Sequence, residues 1–438
     1  MNNSWIYILF FLFNSLITDL QGQGFIEKRS SFYGYTGSTN SKIRQLNELL
    51  EKNKLPQLQD QYRSLGLGYQ ARVNDFVLGF ELSNHQSSTL DVKNFDLKYR
   101  ASRALLNVGY SLTEEGRFQL IHYMSLGMGY LNFEMLPTEK GINLEDFLKN
   151  PKQGIILRKN DIQKGTSNFG DFLTEIGFQL SYDVNLPGRK EALMVIAKAG
   201  YSFSPFEGSW LLNGIAFDNA QSGAFLRLGA GISLPDRNFF YKDASIGVSF
   251  IRGIHFKGPE KLNRLLAEKG YEPFEGKPSN WGLRILGETE GLLYGVDVFN
   301  LSLDGQASNF QDHSLNSLRI YANGGLKFFQ LKNFAVGALA GLGYGNLRYS
   351  ILSRDKPDFP ALFDQRFFDG YLKSSGMMAK PEIMLEYSAP MTKRKFFELV
   401  LSTSAGYEMA FPEYNLGKST MNNYLSGPYL MFGIGLRP

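Results

Sequence analysis

The sequence predicts an all-β chain, a transmembrane antiparallel β-barrel, on three observations. Long segments alternate strictly between apolar and polar or small residues. Their connections alternate between short turns and long polar loops. The 438 residues include 36 Phe, 23 Tyr and 46 Gly, a composition suited to aromatic girdles outside and close packing inside.

The alternation is clearest over 171–184. Phe172, Thr174, Ile176, Phe178, Leu180, Tyr182 and Val184 share one face; Glu175, Gly177, Gln179, Ser181 and Asp183 share the other. Successive residues of a strand point to opposite sides of its sheet, so in a barrel the first set meets lipid and the second the lumen. The segments 224–234, 193–203 and 397–411 repeat the pattern, with Arg227, Lys198 and Glu398 on their inward faces. Many of these strands reach the roughly 9–11 residues that a tilted membrane strand needs.

Connections at 72–75, 113–116, 185–190 and 391–394 are short, whereas 38–63, 136–168, 207–222, 257–279 and 353–373 are long and polar. Short turns on the periplasmic side and long loops outside form the expected barrel asymmetry. The loop over 141–161 carries mixed charge and one helical turn at Leu144 to Lys149.

The chain also repeats itself. Leu46-Asn47-Glu48-Leu49-Leu50 returns as Leu262-Asn263-Arg264-Leu265-Leu266, Gly127-Met128-Gly129-Tyr130 as Gly341-Leu342-Gly343-Tyr344, and Ala199-Gly200-Tyr201 as Ala405-Gly406-Tyr407. Glu81 aligns with Asp297 and Glu175 with Glu382. The order of these matches implies a tandem duplication. The predicted strands of the first copy are 25–37, 64–72, 75–87, 96–112, 117–135, 170–184, 191–206 and 223–234. Those of the second are 244–256, 280–288, 291–302, 316–331, 333–350, 379–389, 395–411 and 427–437. The first is the least regular, because Glu27, Lys28 and Arg29 interrupt it. Each copy places a short amphipathic helix in its first long loop, over 41–52 and 259–269, with Leu46, Leu49 and Leu50 as the apolar stripe of the first. Such a helix suits the rim or mouth of a barrel.

Sixteen strands form either one wide ring or two rings of eight. Inward glycines and nearly balanced inward charges in the first copy fit a small, filled barrel. Only about 235–243 joins the copies, which resembles one more periplasmic turn, and one closed sheet leaves no edges. The expectation is one sixteen-stranded barrel, with two eight-stranded barrels as the alternative.

Trp5 to Ile17 reads WIYILFFLFNSLI, an apolar run of signal-peptide length followed by polar Asp19, Gln21 and Gln23. The expected organisation is a signal peptide over 1–23, a first repeat over 24–235 and a second over 236–438. No later run reaches the ~18 apolar residues of a spanning helix.

The Gly-rich strand Leu126-Gly127-Met128-Gly129-Tyr130, the repeated Gly-x-Gly strand ends and the terminal strand 428–438 resemble those of outer-membrane β-barrel proteins. The aromatic-rich style and the Gln-bearing segment after the leader resemble the barrels of the Bacteroidota. The resemblance implies export to the outer membrane of a Gram-negative cell, with lipid as the surrounding partner. Such barrels usually end in an aromatic residue; here Phe432 and Leu436 face outward and Pro438 ends the chain.

The charge of +4 is small and unclustered, which argues against nucleic acid. Absence of cysteine removes disulfides and thiolate chemistry. His85, His122, His255 and His313 lack metal-ligand spacing, and no cofactor is expected. His122 faces outward mid-strand, with no serine beside it on its own strand face, so catalysis is not expected. The candidate lumen-facing charges are Glu81, Lys98, Arg100, Glu175, Lys198, Arg227, Asp297, Glu382 and Glu386. They motivate a passive pore for small solutes. The alternative is a structural or docking barrel that binds other envelope proteins through its loops.

Overall fold

The computed structural model describes residues 28–437 except 42, 93, 114–116, 139–143, 150–152, 159–170, 188–190, 206–210, 213–214, 217–221, 237–243, 355, 357–365, 392–397, 412–414, 417–418 and 421–425. The expected leader and its cleavage point lie outside the described residues.

Sixteen long strands form where the alternation predicts them. The first eight are β1 (Lys28–Ser41), β2 (Gln61–Val73), β3 (Phe76–Gln86), β4 (Phe95–Ser111), β5 (Phe118–Pro137), β6 (Asp171–Asn185), β7 (Ala192–Phe203) and β8 (Gly223–Asp236). The second eight are β9 (Ala244–His255), β10 (Ser279–Thr289), β11 (Leu292–Ser308), β12 (Gln311–Leu331), β13 (Phe334–Ser353), β14 (Gly370–Pro390), β15 (Glu398–Phe411) and β16 (Gly427–Arg437). Among the described residues three helices lie in long loops: α1 (Arg44–Lys52), α2 (Leu144–Lys149) and α3 (Glu260–Glu268).

Each set of eight closes on itself. β8 pairs antiparallel with β1 from Lys28↔Asp236 to Ser41↔Gly223. β16 pairs with β9 from Val248↔Leu436 to His255↔Tyr429. The expected single sixteen-stranded ring therefore does not form; the structure is the alternative, two eight-stranded barrels. The physical reason lies inside β1. Tyr33 stands between Gly68 of β2 and Gly231 of β8, and Tyr35 between Gly66 and Gly229. A Cβ on Gly68 would lie 2.4 Å from the Tyr33 ring, and one on Gly66 2.3 Å from the Tyr35 ring. Tyrosines laid across glycines fill a narrow bore that a sixteen-stranded ring would leave open to water.

The outer faces carry the apolar band. On β6, Phe172, Ile176, Phe178, Leu180, Tyr182 and Val184 are exposed while Glu175, Gln179, Ser181 and Asp183 are buried. β13 and β14 repeat this, with Leu342, Tyr344, Ile383 and Leu385 exposed. A water-soluble protein does not display so continuous an apolar belt; a membrane requires it.

The barrels share a seam. Outward Tyr69 and Ala71 of β2, Leu234, Ile246 and Ile285 form one buried cluster, and the Tyr69 hydroxyl donates to the Ile246 carbonyl at 3.0 Å. On the long-loop side the barrels exchange segments. Leu148 of α2 joins the apolar cluster in the second barrel's mouth, and Phe367 joins that of the first. Gly154 bridges Phe368, and the Ile156 amide donates to the Asp369 carboxylate at 2.8 Å.

Candidate functional site

Whether anything passes through depends on the two lumens. In the first barrel, inward positions of four strands bring four of the expected charges together. Arg227 forks onto Glu175 at 2.6 and 2.8 Å and lies 3.7 Å from Glu81. Lys198 pairs with Glu81, which also accepts from the Tyr33 hydroxyl at 2.7 Å. Arg103 reaches Glu175 at 3.2 Å and the Ser202 hydroxyl at 3.1 Å. The Lys198 ammonium lies 4.1 Å from the Tyr123 ring centre, and Arg227 stacks 4.0 Å from that of Phe225.

The second barrel builds the same layer around the aligned acids. Arg284 holds Asp297 at 2.8 and 2.9 Å and Glu382 at 2.6 Å. Lys380 bridges Asp297 at 2.6 Å and Glu382 at 3.0 Å, and the Tyr429 hydroxyl donates to Glu382 at 2.6 Å. The acids keep their places between barrels, whereas the cations come from different strands: β4, β7 and β8 in one, β10 and β14 in the other. Arg319, paired with Glu408, forms a further layer. Glu386 lies nearer the short-turn end with Arg437 at 2.7 Å and Lys327 at 3.1 Å. In the first barrel the corresponding end holds Arg29 against Asp183 at 3.0 Å. The charge that interrupts the first strand's pattern thus faces the lumen and is neutralised there.

These side chains are shut off from solvent. Glu81, Glu175, Lys198 and Arg227 are 2% exposed or less, and Arg284, Asp297, Lys380 and Glu382 4% or less. Residues lining an aqueous bore would show surface to water. Here each charge is spent on another side chain, as burial demands.

The mouths are closed by apolar plugs. Leu46 and Leu50 of α1 pack with Leu58 onto Tyr62, Tyr99, Leu105, Phe133 and Leu173. Leu262 and Leu266 of α3 pack with Phe274 onto Phe299, Tyr321, Tyr349 and Tyr429. The repeated Leu-Asn-x-Leu-Leu motif explains the fold of each plug. The Asn47 side chain donates to the Leu58 carbonyl at 2.9 Å and accepts from its amide at 2.8 Å. Asn263 makes both bonds to Phe274 at 2.9 Å. Leucines seal the mouth while the asparagine ties the returning loop to the helix.

Lys98 and Arg100 are the corrections to the expected lumen set. Tyr99, Ala101, Arg103 and Leu105 of β4 are buried inward, so Lys98 and Arg100 lie on the outer face. Above the membrane the pattern inverts, because the plug makes the inside apolar and water makes the outside polar. Lys98 is registered opposite Glu134 and Arg100 opposite Asn132 of β5. Glu134 accepts from Arg348 of β13 and Tyr371 of β14, both at 3.0 Å. Burial would raise its carboxyl, but Arg348 and Arg100 bring it down to about 2. The network residues missed in the sequence include Arg103, Arg284, Arg319, Lys380 and Glu408, and, nearer the short-turn end, Arg29, Lys327 and Arg437. Lys380 was legible, lying two residues from Glu382 and hence on the same face.

Among the described residues no group of three His, Asp or Glu side chains is placed to hold a metal. His122 sits on the outer face against the Phe178 ring, 5.1 Å between centres.

Closed antiparallel rings, an apolar belt and a charged interior together define an all-β barrel protein of the outer membrane. No protein-family model matches the chain, and no curated protein does. Among solved structures it is similar to Ail, the attachment invasion locus protein of Yersinia pestis, at 13% identity, with a TM-score of 0.25, over 45% of this chain and 98% of that one. It is also similar to the toluene transporter TodX of Pseudomonas putida, at 13% identity and a TM-score of 0.23, over 95% and 89% of the two chains. A third is OmpT, an outer membrane protein of Vibrio cholerae, at 10% identity and a TM-score of 0.20, over 94% and 97%. At such scores the likeness carries no argument about activity.

Proposed function

We propose that this protein is a closed double barrel that anchors and presents its external loops for docking, rather than a standing pore. The observation that carries this reading is the burial of the lumen charges beneath apolar plugs. An outer-membrane protein without a water path acts through its surfaces, and the exchanged loops unite two barrels into one external platform. Its partners are other envelope proteins, and outer-membrane lipid surrounds it. The aligned acids and plugs support a tandem duplication, and the apolar N-terminus supports export by a cleaved leader; the style of the strands points to a Bacteroidota source.

The passive pore for small solutes is the second reading. Its motivation is the position of the amphipathic helix in each mouth, where a gate would sit. It requires both the helix and the ion-paired layers beneath it to move.

Purified full-length protein in a planar lipid bilayer tests the choice. The closed barrel leaves the membrane silent, and pull-down from solubilised envelopes recovers a stoichiometric partner. Stepwise ohmic conductance would establish the pore instead.

A further inference from the structure

The outer-face charges above the membrane form a site that neither the lumen nor the docking reading uses. Arg100 and Lys98 of β4 come from one barrel, Arg348 of β13 and Lys373 of β14 from the other. All four occupy outward positions on their strands, and Arg348 is registered opposite Lys373. Against these four cations stand Glu134 and Asp96. Asp96 is taken by Lys98 at 3.2 Å, and Glu134 by Arg348. Among the described residues no carboxylate pairs with Arg100 or Lys373. The Arg100 Nε is buried without a hydrogen-bond partner. Lys373 keeps surface to solvent, and its ammonium lies over the face of Tyr371, 4.6 Å from the ring centre. Arg348 stacks on the same ring at 3.8 Å.

The height of the cluster identifies its ligand. Below Arg100 the outward residues of β4 run Ser102, Ala104, Leu106 and Val108. Below Arg348 on β13 they run Asn346, Tyr344 and Leu342, and below Lys373 on β14, Ser375 and Met377. On each strand one polar residue separates the cation from the apolar belt. A strand advances ~3.3 Å per residue, so the cations stand in the headgroup layer. Arg348 gives two of its donors to Glu134 and Ser350; Arg100 and Lys373, which no described carboxylate pairs, supply beside it the chemistry that captures phosphate.

We propose that Arg100, Arg348 and Lys373, brought together at the external seam between the barrels, bind the phosphate of an anionic outer-leaflet lipid headgroup. The lipid then joins the two barrels from outside, as the Glu134 bonds do from within.

The experiment uses full-length protein in neutral detergent, with native mass spectrometry reading the fraction bound. The probes are diphosphorylated lipid A, its dephosphorylated form and inorganic phosphate, against wild type, the double variant Arg100→Gln/Lys373→Gln and the control Arg44→Gln on α1. Wild type and control should bind the diphosphorylated lipid alike, the double variant at least tenfold more weakly, and the dephosphorylated lipid should bind poorly to all. Equal binding of both lipids, or an unaffected double variant, would overturn the assignment. Competition by inorganic phosphate at equal concentration would replace it with a free-anion site. If the double variant does not fold, a pH series on wild type decides. Partial desolvation and the repulsion of Arg100, Arg348 and Lys98, against the attraction of Glu134, bring the Lys373 ammonium down to about 8. Binding should therefore weaken between pH 7 and 9, and a flat profile would overturn the proposal.

Discussion

Substitution of the central charges in the first lumen measures whether the bore is filled. Three cations, Arg103, Lys198 and Arg227, surround two acids, Glu81 and Glu175. Arg227→Met keeps much of the volume and leaves two matched pairs, Lys198 with Glu81 and Arg103 with Glu175. Glu175→Gln leaves three buried cations sharing one carboxylate. Removal of one partner from a buried pair costs about 3–5 kcal/mol, most of it the uncompensated charge. Glu175→Gln should therefore cost about 5 kcal/mol, and Arg227→Met, which leaves no buried charge unpaired, clearly less. The double variant should lose less than the sum of the two. Urea unfolding in lipid vesicles, followed by the mobility shift of unheated protein on gels, gives the three values. A Glu175→Gln loss below about 1 kcal/mol, the range of solvent-exposed pairs, would refute the reasoning, because it would mean that water reaches the charges.

Gly68→Val should destabilise the first barrel by about 2 kcal/mol or more, since its Cβ falls 2.4 Å from the Tyr33 ring; a smaller glycine-equivalent loss in Gly68→Val/Tyr33→Ala, from the same unfolding assay, confirms the pairing. Leu46→Ala/Leu50→Ala should cost roughly 4 kcal/mol or more by emptying the plug, yet leave bilayers silent because the ion layer persists beneath it. His313 is buried against the Phe274 ring at 3.7 Å, and burial lowers its imidazole to about 4. The unfolded side chain protonates near 6.5, so stability is constant above that pH and falls by about 3 kcal/mol on acidification from 6.5 to 4. His313→Gln should lose that component of the pH dependence, read as a flatter plot of urea midpoint against pH.

Strand positions were legible because the membrane imposes one rule on every residue of a crossing segment. The β6 alternation shows it without tertiary information. Where the membrane ends, that rule ends too. β13 runs on to Ser353, past the predicted end at 350, and β14 starts at Gly370, inside what reads as a polar loop. The same change of surroundings puts Lys98 and Arg100 outside while Arg103, three residues on, faces in. Acidic lumen positions were legible by parity and by their repetition, Glu81 with Asp297 and Glu175 with Glu382. Their partners were less so, because each barrel draws its cations from different strands and a charge alone does not name its mate. Ring size was not legible. β8 offers the same backbone edge to β1 as to β9, and the choice rests on the β1 tyrosines laid across glycines of β2 and β8.

Disulfide trapping tests the two-ring architecture directly, and the chain has no cysteine to confuse it. Thr36 is registered with Leu228 across β1 and β8, and Ile254 with Leu430 across β9 and β16. Cysteines at Thr36 and Leu228, and separately at Ile254 and Leu430, should cross-link in the folded, membrane-embedded protein, while cysteines at Thr36 and Leu430 should not. Cross-linking of Thr36 to Leu430, with neither within-barrel pair formed, would join β1 to β16 in one wide ring and contradict the account.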